Sequence, residues 1–181
     1  MQTTRLALPD VVLLKPKVFA DHRGTFFESF NARAFRDAIG VDVEFVQDNH
    51  STSKAHVIRG LHYQINHPQG KLVRVVAGSV HDIVVDLRRS SPTFGRSVGV
   101  SLSADDKLML WVPPGFAHGF YVTSDEAQFV YKTTDYWAPE HERTLLWNDP
   151  ALEIEWPLTG TPVVNEKDQA GTPFAKCEVY R

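Results

Sequence analysis

The sequence predicts a mainly β protein built as an antiparallel sandwich or barrel. Three observations predict it. Short segments alternate apolar and polar residues with the period of two that sends successive side chains to opposite faces of a strand. Glycine and proline turns separate these segments at short, fairly regular intervals. One stretch near the N-terminus carries paired helix start and stop signals.

Taken in order, Asn31 caps a helix over Ala32–Ile39 that Gly40 ends, with Phe35 and Ile39 on one face. Gln47-Asp48-Asn49 alternates, so Gln47 and Asn49 share a face and suit a polar ligand. Lys71–Val76 and His81–Leu87 are strands, the second alternating around Ile83, Val85 and Leu87; Ala77-Gly78-Ser79 between them reads as a hairpin turn. Val98, Val100 and Leu102 alternate with Gly99 and Ser101, a half-buried strand. Leu108, Leu110 and Val112 repeat the pattern and stop at Pro113-Pro114. Gln128–Thr134 is a strand with Phe129, Tyr131 and Thr133 on one face and Lys132 on the other. After Trp147 the chain is rich in proline and acidic residues, which predicts short helices or loops wrapped on the barrel.

Residues 1–181 are expected to form one domain, long enough to bury a core without staples. A net charge of -3 argues against a broad nucleic-acid footprint. Cys177 is the one cysteine, so no internal disulfide and no oxidising compartment is required. Met1–Leu14 lacks the pattern of a signal peptide, and no apolar run approaches the roughly 20 residues that span a bilayer. A cytoplasmic protein without membrane or nucleic-acid partners is expected.

Two histidine-bearing segments stand out: Ile58-Arg59-Gly60-Leu61-His62-Tyr63-Gln64 with Gly70-Lys71, and Pro113-Pro114-Gly115-Phe116-Ala117-His118-Gly119. On a strand-rich chain they look like the two halves of a cupin site. A cupin metal site needs His-x-His on one strand face, but position 64 is Gln. Lys71 falls near the place of the acidic ligand, and its ammonium would repel a divalent ion. No metal and no other cofactor is expected.

Without an ion, the same residues offer proton transfer. His62 is the natural general base, though a lone strand histidine is ordinarily a hydrogen-bonded core residue. Lys71 and His118 suit a developing oxyanion. Tyr131 is core packing or a proton donor facing the base. Asp168 lies in a loop-like segment, and becomes functional only if the tail folds back to orient His62. Arg23 and Arg59 are suited to clamp phosphates. Strict alternation would put Arg59 and His62 on opposite faces, so their sharing a pocket predicts a bulge or bend near Gly60.

Several motifs in register then carry a specific likeness: Arg23-Gly24-Thr25-Phe26-Phe27-Glu28, Gln47-Asp48-Asn49-His50-Ser51, Ile58–Gln64, Pro114–Phe120 and Tyr131–Tyr136. From about residue 5 to about residue 175 the chain resembles the dTDP-4-dehydrorhamnose 3,5-epimerases. The resemblance implies a metal-free, cupin-type antiparallel jelly-roll barrel with a short N-terminal helix and a wrapped C-terminal tail. It implies a homodimer in which the N-terminal segment reaches the partner's site, and dTDP-4-dehydro-6-deoxy-D-glucose as substrate, epimerised at C3 and C5 for dTDP-L-rhamnose biosynthesis. By matching position, His62 would be the base, Asp168 its orienting carboxylate, Tyr131 the acid and Lys71 the enolate's support. His118 would line the sugar pocket. Arg23, Phe26, Glu28, Gln47, Asn49, Arg59, Glu142 and Lys167 would bind the substrate. Trp137 stands where the family usually has a tyrosine stacking on thymine. The rival readings are a 3- or 5-epimerase or ketoisomerase on the same class of sugar, a metal-dependent cupin oxygenase, and a non-catalytic sugar-nucleotide binding module.

Overall fold

A computed structural model describes residues 1–181. Its strands are β1 (Gln2–Arg5), β2 (Val12–Lys15), β3 (Val18–Asp21), β4 (Gly24–Phe27), β5 (Gln47–Lys54), β6 (Ile58–Gln64), β7 (Lys71–Ala77), β8 (Ser79–Asp86), β9 (Ser97–Ser103), β10 (Met109–Val112), β11 (Phe116–Val122), β12 (Glu126–Thr133) and β13 (Glu142–Thr144). Helix α1 spans Ala32–Ile39 and the short α2 spans Glu166–Gln169. One sheet runs β1-β2-β10-β7-β12-β5 and a second runs β13-β6-β11-β8-β9, with β3-β4 as a separate ribbon. All strand pairings are antiparallel. The chain is therefore mainly β, in the jelly-roll arrangement expected.

The two sheets face each other across one apolar core. Val73, Val75, Leu110 and Phe129 from the first sheet meet Val84 and Phe120 from the second. Strand β8 is buried on both sides, which a simple alternation does not reveal. Val80 and Val84 enter the inter-sheet core, while Ile83, Val85 and Leu87 face outward into a cluster with Leu145 and Leu152, against which Phe174 and Tyr180 of the tail pack. The tail thus covers the outer face of the second sheet, as its composition suggested.

Helix α1 matches its expected boundaries. Asn31 Oδ1 accepts from the Ala34 backbone N–H at 3.0 Å, and Gly40 closes the helix at φ 79°. The αL conformation at that end is one that glycine adopts without a Cβ penalty. Phe35 docks the helix on the outer face of the first sheet, edge-on to Trp111 at 5.2 Å, with Phe45 and Phe30 beside it.

The hairpin expected at Ala77-Gly78-Ser79 is not formed. β7 pairs with β10 and β12, and β8 pairs with β11 and β9, so the turn is a corner where the chain leaves one sheet for the other. Gly78 sits there at φ 71°, and a Cβ would lie 1.9 Å from the Glu126 carbonyl oxygen. A tight glycine turn marks a reversal of direction; it does not say that the flanking strands bond to each other.

The irregularity expected at Gly60 is present. On β11, Phe120 pairs with Arg59 and His118 with His62. Two residues, Gly60 and Leu61, therefore stand opposite Gly119 alone, which is a β-bulge. Phe120 and His118 are two apart and share a face, and directly paired residues share a face across a sheet. The bulge thus turns Arg59 to the same side as His62.

Candidate active site

The inward face of β6 opens on a cavity of about 270 Å³ between the two sheets. His62 comes from the second sheet, and Tyr131 and Lys71 come from the first, so base candidate and acid candidate occupy facing walls. Gln47, Asn49, Glu142 and Trp137 complete most of the lining.

The tail does fold back. His62 Nε2 lies 2.6 Å from Asp168 Oδ1, and the second Asp168 oxygen accepts the Gly60 backbone N–H at 3.1 Å. Asn165 caps α2 by accepting the Asp168 N–H at 2.7 Å, which seats the carboxylate. Two parallel bridges, Val57 to Val163 and Leu145 to Thr172, pin the tail on either side of it. Asp168 is fully buried. Burial pushes its pKa up, but the hydrogen bond and charge of His62, the Gly60 N–H and the Lys167 charge outweigh burial and hold it below the ordinary carboxylate range. An ionised Asp168 only accepts, so it keeps the imidazole proton on Nε2 and leaves the lone pair on Nδ1.

Lys71 is buried, and its Nζ reaches the His62 carbonyl oxygen at 3.4 Å. Desolvation pushes its pKa down to about 8, against the opposing pull of Asp82 and Glu142. Burial, reinforced by Glu142 and partly opposed by Arg59, pushes the Tyr131 hydroxyl above the ordinary phenol value. Tyr131 is therefore held as a protonated phenol.

His118 lies behind this group, with Nε2 at 2.9 Å from both oxygens of Asp82. Both are buried, the carboxylate completely. Asp82 joins the site without a motif of its own; its one sequence signal is an acid on the same alternation as the core residues Val80 and Val84. Arg59 donates from Nε to Ser53 Oγ at 2.8 Å. Gln47 Nε2 donates to Asn49 Oδ1 at 2.9 Å, while Asn49 Nδ2 is buried with no protein partner. Lys167 and Glu142 form an ion pair at 2.5 Å on the cavity edge.

Of the expected substrate contacts, Gln47, Asn49, Trp137 and Glu142 line the cavity; Arg59, His118 and Lys167 are outside the lining beside it, and Arg23, Phe26 and Glu28 lie on or just after a separate ribbon. Arg23 and Phe26 lie on the separate β3-β4 ribbon, where Arg23 pairs with Asp21 at 2.6 Å and Phe26 is 70% exposed. Glu28 follows the ribbon and accepts from Asn31 Nδ2 at 3.1 Å. Gln64 is no stray ligand position: its amide is wholly engaged with backbone groups around His67 and Tyr136–Ala138. No three His, Cys, Asp or Glu side chains converge as metal ligands would, and the ammonium of Lys71 suits an anion.

Comparison with known proteins gives the family. A family profile described as dTDP-4-dehydrorhamnose 3,5-epimerase matches residues 5–176. The chain is 59% identical over 180 residues to the dTDP-4-dehydrorhamnose 3,5-epimerase of Pseudomonas aeruginosa, covering 99% of each. It superposes with TM-score 0.97 and 44% identity on a dTDP-6-deoxy-D-glucose-3,5-epimerase from Legionella pneumophila solved with dTDP-4-keto-L-rhamnose, covering 99% of this chain and 97% of that one. A Bacillus anthracis dTDP-4-dehydrorhamnose 3,5-epimerase solved with TDP and pyrophosphate superposes with TM-score 0.91 and 42% identity, over 95% and 98%. The chain belongs to the dTDP-4-dehydrorhamnose 3,5-epimerase family.

Proposed function

We propose that this isomerase converts dTDP-4-dehydro-6-deoxy-D-glucose to dTDP-4-dehydro-L-rhamnose by inverting C3 and C5, in dTDP-L-rhamnose supply. One observation carries the reading: a His62–Asp168 pair and Tyr131 face each other across one cavity, with the Lys71 ammonium between the walls. The C4 ketone acidifies the C–H bonds at both neighbouring carbons. His62 Nδ1 takes one such proton, and the bonding electrons move to the C4 oxygen as an enolate. Lys71 stabilises that oxygen, with the His118–Asp82 pair behind it. Tyr131 delivers a proton to the opposite face, and the centre is inverted. His62 and Tyr131 then return to their starting states by exchange with solvent. No electrons are gained or lost, and the retained ketone lets the same pair serve the second carbon.

In this reading Trp137 stacks on the thymine. Gln47, Asn49, Arg59, Glu142 and Lys167 hold the remainder of the nucleotide sugar, the buried Asn49 N–H₂ being a donor left for it. We further infer a homodimer in which Arg23, Phe26 and Glu28 complete the partner's site. The exposed β3-β4 ribbon, with Phe19 52% and Phe26 70% exposed, supports that role. Residues 1–181 act as one catalytic domain, and a nucleotide-sugar substrate supports a cytoplasmic location. No helix is long and apolar enough to cross a membrane.

The test is incubation with dTDP-4-dehydro-6-deoxyglucose in D₂O, followed by NMR. Deuterium at both C3 and C5 of a rhamno-configured product is expected. Label at C3 alone would assign a single-carbon epimerase, and no exchange would leave only binding.

A further inference from the structure

The backbone on either side of Trp137 is held by one side chain. Gln64 Nε2 donates to the Tyr136 carbonyl at 3.2 Å and to the His67 carbonyl at 2.7 Å, and Gln64 Oε1 accepts the Ala138 N–H at 2.8 Å. Gln64 is 3% exposed. Two other glutamines grip the same loop. Gln47 Oε1 accepts the Trp137 N–H at 3.0 Å, and Gln69 Nε2 donates to the Asp135 carbonyl at 2.9 Å. Trp137 itself lines the cavity and is 58% exposed, which leaves its ring open to a ligand.

We propose that Gln64 is a positioning residue for nucleotide recognition: it fixes Trp137 at the cavity mouth from the same strand that carries His62. The residue type follows from the bonds. This grip needs two donors and one acceptor on a single planar group, which a primary amide supplies. A histidine offers one donor when neutral, and a carboxylate offers none. Gln64 and His62 are two apart on one strand, so both face the cavity. The loop that meets the base and the residue that takes the proton are thereby set by one backbone segment. This rests on the reading above that Trp137 stacks on the nucleobase.

Titration calorimetry with dTDP, on the full-length wild type and on Gln64→Leu and Gln64→Glu, tests it. Both variants should bind dTDP about ten-fold or more weakly, and KM should rise by a larger factor than kcat falls. Gln64→Glu keeps the size and the acceptor but turns a carboxylate toward two carbonyls, so it tests the grip if the leucine variant folds poorly. The decisive measurement is a cycle with Trp137→Ala. If Gln64 acts through Trp137, its substitution in that background should cost little further affinity. Equal losses in both backgrounds, or folded Gln64 variants that bind dTDP as the wild type does, would overturn the proposal. A wild-type chain that does not bind dTDP would sink the proposed function itself, and this inference with it.

Discussion

Gly60 and Gly119 meet backbone to backbone at the bulge. A Cβ on Gly60 would lie 2.7 Å from the Gly119 Cα, and one on Gly119 would lie 2.4 Å from the Arg59 carbonyl oxygen. Gly60 also holds φ 116°, which side chains rarely adopt, and its N–H is bonded to Asp168. The site's geometry therefore depends on two absent methyl groups. Gly60→Ala should destabilise the fold by roughly 2–4 kcal/mol. It should also lower kcat sharply in the fraction that remains folded, because the displaced segment carries both His62 and the Asp168 contact. Denaturant unfolding and steady-state kinetics on the same preparation check both. Wild-type stability and turnover would refute the argument.

Asp168→Asn removes the charge that keeps the proton on His62 Nε2 while leaving the side chain's volume. An amide turned to donate to Nε2 would favour the other tautomer and place the proton on Nδ1, where the lone pair is needed. The loss in kcat should be about 10²–10⁴ with a small change in KM, in the range for disabling a general base. A KM effect of the same size would point to a binding role instead.

Tyr131→Phe should separate the two halves of the reaction. Abstraction by His62 from the facing wall remains available, whereas delivery from the opposite face does not. Turnover should fall by about 10²–10⁴, while solvent deuterium still enters the recovered substrate through return of the proton on the His62 side. Unimpaired epimerisation in this variant would remove Tyr131 from its role.

How much of this was legible in sequence differs by kind of interaction. Helix α1 was readable because Asn31 and Gly40 are local signals that act on their own neighbours. The bulge was readable because chemistry required Arg59 and His62 on one face and glycine permitted it. Strand partners were not: periodicity gives the face of a residue, so β7 and β8 looked like a hairpin although they belong to different sheets. Asp168 was placed by family likeness alone, since 106 residues separate it from His62 and no periodic signal crosses that distance. Gln64 read as a lost metal ligand because its partners are backbone groups, which have no identity in a sequence.

Lys71 should trade stability for activity. Its folded-state pKa, about 8, lies below the ordinary 10.5. The unfolded chain therefore binds more protons between those values, so the lysine's cost to stability is full below about pH 8 and fades as pH rises toward 10.5. Lys71→Met should stabilise the protein at pH 7 by about 2–3 kcal/mol, a gain that shrinks by pH 10, while kcat falls by about 10²-fold or more. In the wild type, kcat/KM should decline as pH rises through about 8, when the ammonium is lost. Asp82 raises the Lys71 pKa, so Asp82→Asn should move that alkaline limb to lower pH. A limb unmoved by Asp82→Asn and still present in Lys71→Met would assign it to another group.

The separate β3-β4 ribbon makes subunit exchange the sharpest test of the proposed dimer. Arg23 is not among the residues lining the chain's own His62 cavity, and its ribbon bonds to neither sheet. Arg23→Ala and His62→Ala should each be severely impaired when pure. If Arg23 acts across the interface, a mixed dimer has one site with both substitutions and one with neither. Half of randomly reassorted dimers are mixed, so roughly a quarter of the wild-type activity should return on mixing. If Arg23 served its own chain, each site in the mixed dimer would still carry one substitution, and mixing would restore nothing.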